Sequence, residues 1–336
     1  IRRHHPRVVL DPMFGVSLTG LQTILYTARC DIDVINDRHD AFFGRHLPAP
    51  NPETLVDLQA AVREHNAVVG IATDGDADRL GIIDEKGNYV SANEILVLLY
   101  FYLMEYKGWR GAAVRNIATT HLLDRVADAL GIPHYETPTG WKFFGNLLDD
   151  GRITFCGEES YGTSSRHIRE KDGLWAILFW LNLLARTGDS VAGMVRKHWS
   201  RFGRNYYSRH DYESIDSKRA NALMDRLRNR LASLPGQVFG ALTVAKADEF
   251  AYTDPVDGSV SEHQGIRVFF TDGSRIVFRL SGTGTVGATL RVYFDRYDAE
   301  NLTLDPQAAL VHLIKAADDI AEIPAFTGLP GPTVVT

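Results

Sequence analysis

Three aspartates alternate through Thr73-Asp74-Gly75-Asp76-Ala77-Asp78-Arg79, between the runs Val68–Ala72 and Leu80–Asp84, which read as buried strands. Carboxylates this close repel one another unless a cation lies among them. Hard oxygen donors on a tight turn suit Mg²⁺, which keeps few protein ligands and completes its shell with water or phosphate oxygens. An EF-hand would place Asp74, Asp76, Asp78 and Glu85 at its first, third, fifth and twelfth positions, but Arg79 stands where that loop needs glycine, and strands flank it. An acidic solvated turn is the plain alternative.

A second group lies near the C-terminal end. Arg279-Leu280-Ser281-Gly282-Thr283-Gly284-Thr285-Val286-Gly287 contains a formal dinucleotide-binding spacing, yet the following Ala288–Phe294 alternates like a strand, where that motif requires a helix. Its hydroxyls, open backbone amides and arginines make an anion cradle that suits a phosphate monoester. A Gly/Thr-rich hairpin with solvent-facing arginines is the alternative. Between the two groups, Gly157-Glu158-Glu159-Ser160-Tyr161-Gly162 puts paired carboxylates and a hydroxyl after a buried strand. Open α/β sheets bind ligands at such strand ends, and carboxylates there can accept the protons of sugar hydroxyls; an exposed acidic turn is the equal alternative. Thr137–Lys142 and His167–Asp172 each open a helix. Lysines beside a phosphate hold charge or move protons, although a lone lysine is by default a surface residue.

The elements that must position these loops follow from periodicity. Over the first ~200 residues short apolar runs alternate with helical patterns, as parallel α/β units do. Strands are expected at Arg7–Leu10, Asp33–Ile35, Val68–Ala72, Leu80–Asp84, Ala112–Ile117, near His134, and at Ile153–Cys156. Helices are expected at Leu18–Ala28, Glu53–His65, Leu122–Leu130 and Lys142–Leu148, and from Ser91, Gly173 and Ser190. Ser91 and Glu94 have capping-box spacing. After Phe202 the pattern changes to a strand at Asn205–Tyr212, a charged helix at Ser217–Leu234, further strands, and a helix at Gln307–Ile320. The fold class is therefore α/β with a C-terminal α+β domain, divided into 1–88, 89–203 and 204–336.

The chain has 336 residues and a net charge of −6, which disfavours a nucleic-acid-binding surface. Its most apolar run, Leu174–Leu181 with Leu183–Ala185, is too short to span a membrane and reads as a core helix. Cys30 and Cys156 lack metal-ligand spacing and read as buried small hydrophobes, which fits a reducing compartment. The start, Ile1–Pro6, has no methionine and no signal-peptide apolar region, and hints at sequence preceding it.

Taken in order, Asp74-Gly75-Asp76-Ala77-Asp78-Arg79, Thr137-Pro138-Thr139-Gly140-Trp141-Lys142-Phe143-Phe144-Gly145-Asn146, the Gly157–Gly162 loop and Arg279–Gly284 resemble the α-D-phosphohexomutase superfamily, and within it the phosphoglucomutase branch. Arg169–Ala176 and Gly203–Ser208 extend the resemblance over almost the whole chain. It implies Mg²⁺ on Asp74, Asp76 and Asp78, with Arg79 beside the reacting phosphate. It implies sugar hydroxyls held by Glu158 and Ser160, helped by Thr139 and Gly140. Lys142, His167 and Lys171 would line the site, Lys171 as the candidate for proton transfer or phosphate contact. Arg279, Ser281, Gly282, Thr283, Thr285 and Arg291 would grip the phosphate that is not reacting.

The implied activity is reversible interconversion of glucose 1-phosphate and glucose 6-phosphate in the cytoplasm, with glucose 1,6-bisphosphate as intermediate and activator. The family arranges four domains around one cleft, and this chain corresponds to most of the second, then the third and fourth. One departure stands out. The family's nucleophile is a phosphoserine in a Thr-Ala-Ser-His-Asn-Pro-like loop of the first domain, and no such loop occurs here. Thr163-Ser164-Ser165-Arg166-His167 lacks that context. The expected partner is therefore the N-terminal domain of the same protein, and the chain by itself is expected to be inactive. A phosphomannomutase or dual-specificity relative, and a non-catalytic phosphosugar-binding scaffold, are the rival readings.

Overall fold

The computed structural model describes residues 1–282 and 287–336, which group into two compact units. The first comprises Ile1–Thr119, Leu123–Glu136 and Trp141–Arg201, and the second Thr120–Leu122, Thr137–Gly140 and Phe202–Thr336.

The first unit carries two sheets. One contains β1 (Arg7–Asp11), β2 (Asp31–Val34), β3 (Val69–Thr73), β4 (Leu80–Ile83) and β5 (Tyr89–Val90), with α1 (Leu18–Thr27) and α2 (Val56–Glu64) in its connections. The strand order is β2-β1-β3-β4-β5. The chain continues through α3 (Ala92–Glu105) into the second sheet, built from β6 (Ala112–Asn116), β7 (His134–Thr137), β8 (Ile153–Gly157) and β9 (Thr163–Ser165) in the order β7-β6-β8-β9. The helices α4 (Leu122–Ala129), α5 (Lys142–Asp149), α6 (Gly173–Thr187) and α7 (Val191–Phe202) complete the series.

Both sheets are mixed, where alternating α/β units predicted parallel ones. The β1–β2, β1–β3 and β6–β8 pairs are parallel, but β3–β4, β4–β5 and β8–β9 are antiparallel. The reason is connection length. Only Asp74–Arg79 separates β3 from β4, and only Glu158–Gly162 separates β8 from β9, whereas a parallel crossover needs a dozen or more residues. Both chemistry-bearing loops are thus tight reversals between buried strands. The helix expected from Glu53 begins at Val56, because the Asn51 carboxamide oxygen accepts the Thr54 N–H at 2.9 Å and holds residues 51–54 in a separate turn.

The Ser91 cap read from the sequence forms, and a second cap joins it. The Ser91 hydroxyl accepts the Glu94 N–H at 3.2 Å at the start of α3, and Asp172 accepts the Trp175 N–H at 2.9 Å at the start of α6. The apolar run inside α6 buries Ala176, Ile177, Trp180, Leu181, Leu183 and Leu184, and no helix among the described residues is long and apolar enough to cross a membrane. Cys30 and Cys156 are both buried and free.

The second unit is a seven-stranded sheet of β10 (Arg204–Ile215), β11 (Val238–Phe239), β12 (Leu242–Glu249), β15 (Ile266–Phe270), β16 (Arg275–Ser281), β17 (Ala288–Asp298) and β18 (Val334–Val335), with a small hairpin of β13 (Tyr252–Thr253) and β14 (Val260–Ser261). Its paired neighbours are antiparallel throughout. The helices α8 (Ser217–Arg230) and α9 (Pro306–Ala321), followed by α10 (Ile323–Thr327), bury Leu223, Leu227, Leu310, Leu313 and Ile320 in one core with Ile276, Phe278 and Phe294 of the sheet. The charged helix expected to reach Leu234 ends at Arg230, and a 3₁₀ turn at Leu231–Ser233 follows.

Candidate functional site

The acidic turn and the Gly157–Gly162 turn come together in the first unit. Arg79 and Gly162 form an isolated antiparallel bridge, and the Leu80 N–H donates to the Tyr161 carbonyl at 3.2 Å. Behind them the Gly173 N–H donates to the Ala77 carbonyl at 3.2 Å. A Cβ on Gly173 would stand 2.7 Å from the carbonyl oxygens of both Ala77 and Arg79, so the first residue of α6 must be glycine for the acidic turn to rest there.

Within the turn, carboxylate oxygens of Asp74, Asp76 and Asp78 lie within 4.8 Å of one another. Burial first, and then the Asp78 carboxylate, push Asp74 up to about 7. The Arg79 Nε sits 3.3 Å from Asp74 Oδ2 and 3.4 Å from Asp78 Oδ1, and its N–H donates to Asp74 Oδ1 at 3.0 Å. Asp78 Oδ1 is nevertheless buried without a hydrogen bond among the described residues, and Asp76 is exposed. An all-oxygen cluster of three carboxylates, with more negative charge than Arg79 and the nearby Lys171 offset and with a buried oxygen free to accept, fits a hard divalent cation.

Lys171 joins the two turns. Its ammonium lies 3.5 Å from Asp78 Oδ2 and 3.9 Å from Glu158 Oε2, and stands 5.7 Å from the centre of the Trp141 ring. Glu158 is buried, with Oε1 accepting from Asn116 Nδ2 at 3.1 Å. Asn116 is itself fixed, because its Oδ1 accepts the N–H groups of Ala118 and Thr119 at 2.8 and 3.0 Å. Thr119 Oγ1 in turn donates to Glu159 Oε2 at 3.1 Å. A carboxylate with one oxygen held and the other near an ammonium is preorganised to accept from a sugar hydroxyl. Ser160 is half-buried at the tip of the same turn.

His167 is oriented from both sides: Nδ1 lies 2.8 Å from Ser165 Oγ, Nε2 lies 2.8 Å from Asp172 Oδ2, and the ring stacks on Trp175. Ser165 is fully buried in β9, which leaves its hydroxyl unable to meet a substrate as a nucleophile. Lys142 is exposed, with its ammonium over the neighbouring Phe143 ring, and forms no ion pair among the described residues. The structure therefore brings together Asp74, Asp76, Asp78, Arg79, Glu158 and Lys171, but leaves Lys142 outside their network of contacts.

The remaining candidates belong to the second unit. Thr139 Oγ1 is buried without a hydrogen-bond partner among the described residues, and Gly140 has φ of +130°. In the sheet, Arg279 on β16 faces Arg291 on β17. Like charges opposed across strands are unfavourable unless compensated. Arg291 Nε is 3.6 Å from the buried Asp211 carboxylate, and Arg279 donates to the Gln264 carbonyl and the Tyr293 hydroxyl, both at 3.3 Å. Ser281 ends β16 half-buried, and Gly282 follows, exposed, with φ of +64°. Thr283 and Thr285 lie outside the described residues.

Sequence reasoning did not single out Asn116, Thr119 or Trp141. Their signal was positional: Asn116 and Thr119 sit at the carboxyl end of β6, where open sheets present ligand groups, yet about 40 residues separate them from the loop they brace.

Three family models match the chain: "Phosphoglucomutase/phosphomannomutase, alpha/beta/alpha domain II" over residues 1–87, domain III of the same group over 91–202, and "Phosphoglucomutase-1, C-terminal domain" over 204–333. A phosphoglucomutase of Rhizobium radiobacter is 51% identical over 300 residues, covering 88% of this chain and 55% of the relative. Phosphoglucomutase-1 of Homo sapiens is 46% identical over 310 residues, covering 88% and 54%. The chain thus spans about half the length of the curated relatives it matches. Among solved structures, the open form of the exocytosis-sensitive phosphoprotein parafusin, a phosphoglucomutase from Paramecium, superposes with a TM-score of 0.89 at 40% identity, over 99% of this chain and 60% of that one.

Proposed function

The chain belongs to the phosphoglucomutase/phosphomannomutase family, and from that premise we propose that it supplies the metal-, sugar- and phosphate-binding parts of an enzyme interconverting glucose 1-phosphate and glucose 6-phosphate. The observation that carries this reading is the Lys171 ammonium set between Asp78 of the acidic turn and Glu158 of the neighbouring turn. A charged phosphate and a hydroxyl-bearing ring need those two environments side by side. The match to the phosphoglucomutase-1 C-terminal domain favours glucose over mannose.

Asp74, Asp76 and Asp78 would hold the divalent ion, Mg²⁺ in this reading, which when bound neutralises charge on phosphoryl oxygens. Arg79 and Lys171 offer fixed N–H donors to the same oxygens, and Glu158, braced by Asn116, orients the sugar. Arg279, Ser281, Gly282 and Arg291 would grip the phosphate that is not reacting, and Thr283 and Thr285, outside the described residues, belong to the same reading. Ser160, Thr139, Gly140, His167 and Lys142 take supporting positions in the same proposal. The phosphoryl group is carried on a serine outside this sequence, passes to a sugar hydroxyl to give glucose 1,6-bisphosphate, and returns from the other end. The chain is taken as three consecutive domains, 1–88, 89–203 and 204–336, supported by the extents of the three family matches. A cytoplasmic setting belongs to the same reading, supported by the two buried free cysteines.

Calorimetric titration of the chain with glucose 6-phosphate, with and without Mg²⁺, tests the proposal. Weak one-to-one binding that Mg²⁺ strengthens and that exceeds binding of mannose 6-phosphate is expected. Tighter binding of the mannose ester would shift the assignment to a phosphomannomutase, and no binding of either would remove the sugar-phosphate reading.

A further inference from the structure

Asp11 and Asn36 take no part in the chemistry above, yet they sit at the base of a contact that ends on the acidic turn. We propose that these two are positioning residues for that turn: they lock the segment 12–16, whose backbone grips Gly75 and so fixes the spacing of Asp74 and Asp76. The inference rests on the acidic turn being a metal site.

Asp11 ends β1 and is 1% exposed. Its Oδ1 accepts the Met13 N–H at 2.8 Å, and Asn36 Nδ2 donates to both carboxylate oxygens at 3.1 and 3.2 Å. The Asn36 carbonyl then accepts the Phe14 N–H at 3.1 Å, and the Gly15 N–H closes on the Pro12 carbonyl at 2.8 Å. Met13, Phe14 and Asn36 all hold positive φ, at 49°, 60° and 52°. This backbone region is unfavourable for Met13 and Phe14, less so for Asn36, and persists only where surrounding contacts over-determine it. Nothing in the strand calls for a carboxylate, since Val8, Val9 and Leu10 before it are fully buried hydrophobes. Burial pushes Asp11 up to about 6, so the group is retained at a cost that generic packing would avoid.

What the segment does is visible at its far end. The Val16 N–H donates to the Gly75 carbonyl at 3.1 Å, and the buried hydroxyls of Ser17 and Thr73 meet at 2.7 Å. A Cβ on Gly15 would fall 2.6 Å from the Gly75 carbonyl oxygen and 2.8 Å from its Cα, so the two backbones touch. From another direction the Gly75 N–H donates to the Pro48 carbonyl at 3.2 Å. Both peptide groups of Gly75 are therefore held, and Gly75 is the residue between the first two aspartates. Tight divalent sites depend on this kind of outer support.

The test uses the 336-residue chain and compares Asp11→Ala and Asn36→Ala with Val9→Ala, a core truncation in the same strand. Hydrogen exchange at the amides of Gly75, Ala77 and Arg79 in metal-free protein reads the grip, and Mn²⁺ titration reads its consequence. Exchange about tenfold faster and Mn²⁺ binding about tenfold weaker are expected in Asp11→Ala and Asn36→Ala but not in Val9→Ala. The reciprocal double variant Asp11→Asn with Asn36→Asp, which restores a carboxylate–amide pair, is expected to recover both. Exchange as slow in Asp11→Ala and Asn36→Ala as in Val9→Ala overturns the proposal. A parent chain that binds no Mn²⁺ overturns the metal reading instead, and the exchange comparison still decides the grip.

Discussion

Asp76→Asn is expected to weaken divalent-metal binding by about 100-fold or more, while leaving the stability of the metal-free chain within about 0.5 kcal/mol of the parent. The three aspartates are not equivalent in the absence of metal. Asp74 is buried and accepts the Arg79 N–H, and Asp78 pairs with both Arg79 and Lys171, so either change would remove contacts along with charge. Asp76 is exposed and has no described ion pair, and its charge adds to the repulsion that raises Asp74. The amide keeps the shape and one oxygen donor while removing the charge. A carboxylate that contributes to binding but not to folding separates the two roles. The paired measurement is Mg²⁺ or Mn²⁺ titration together with thermal unfolding in a chelator. Unchanged metal affinity would show that Asp76 is no ligand, and a large stability loss would show that it is structural.

Lys171→Met is the second large effect, and its signs diverge. The ammonium neutralises Asp78 and Glu158 across 3.5 and 3.9 Å, so removing it leaves both carboxylates freer to attract a cation. Metal is then expected to bind more tightly, by about tenfold. Phosphoryl transfer, measured in a protein that also carries the phosphoserine, is expected to fall by about 10²–10⁴, the range for a positioned charge or proton donor. Methionine keeps much of the stem that lies beside Gly162, so the fold should tolerate it. Metal affinity and transfer falling together would point to collapse of the acidic turn, not to the loss of a charge acting on substrate.

The acidic turn stood out in the sequence because three alternating carboxylates closed by an arginine between buried strands are a costly way to build a plain turn. Gly157–Gly162, by contrast, read equally well as an exposed acidic turn until its contacts with Asn116 and Lys171 were seen. That Lys171, and not Lys142, would meet them was not legible from the residues alone. Both are lysines near the start of a helix, and the difference lies in where α5 and α6 begin. Gly173 rests α6 directly on the acidic turn, which carries Lys171 inward, while Lys142 projects into solvent over Phe143. Periodicity located the longer strands and the helices of the first unit, missed the short strands β5 and β9, and misjudged strand direction. The deciding quantity was the length of Asp74–Arg79 and Glu158–Gly162, each too short for a crossover. Asn116, Thr119, Asp11 and Asn36 escaped notice for a related reason. A polar residue that acts by bracing another leaves no local pattern, only a contact across tens of residues.

The most direct test of the account is turnover of glucose 1-phosphate to glucose 6-phosphate in a coupled assay. It is run on the 336-residue chain and on the same chain joined to the part of the Rhizobium radiobacter phosphoglucomutase that the match does not cover. The account predicts Mg²⁺-dependent turnover in the joined protein, lost with Asp76→Asn, and none from the 336 residues by themselves. Turnover by the 336-residue chain, or turnover in the joined protein that survives both chelation and Asp76→Asn, would contradict it.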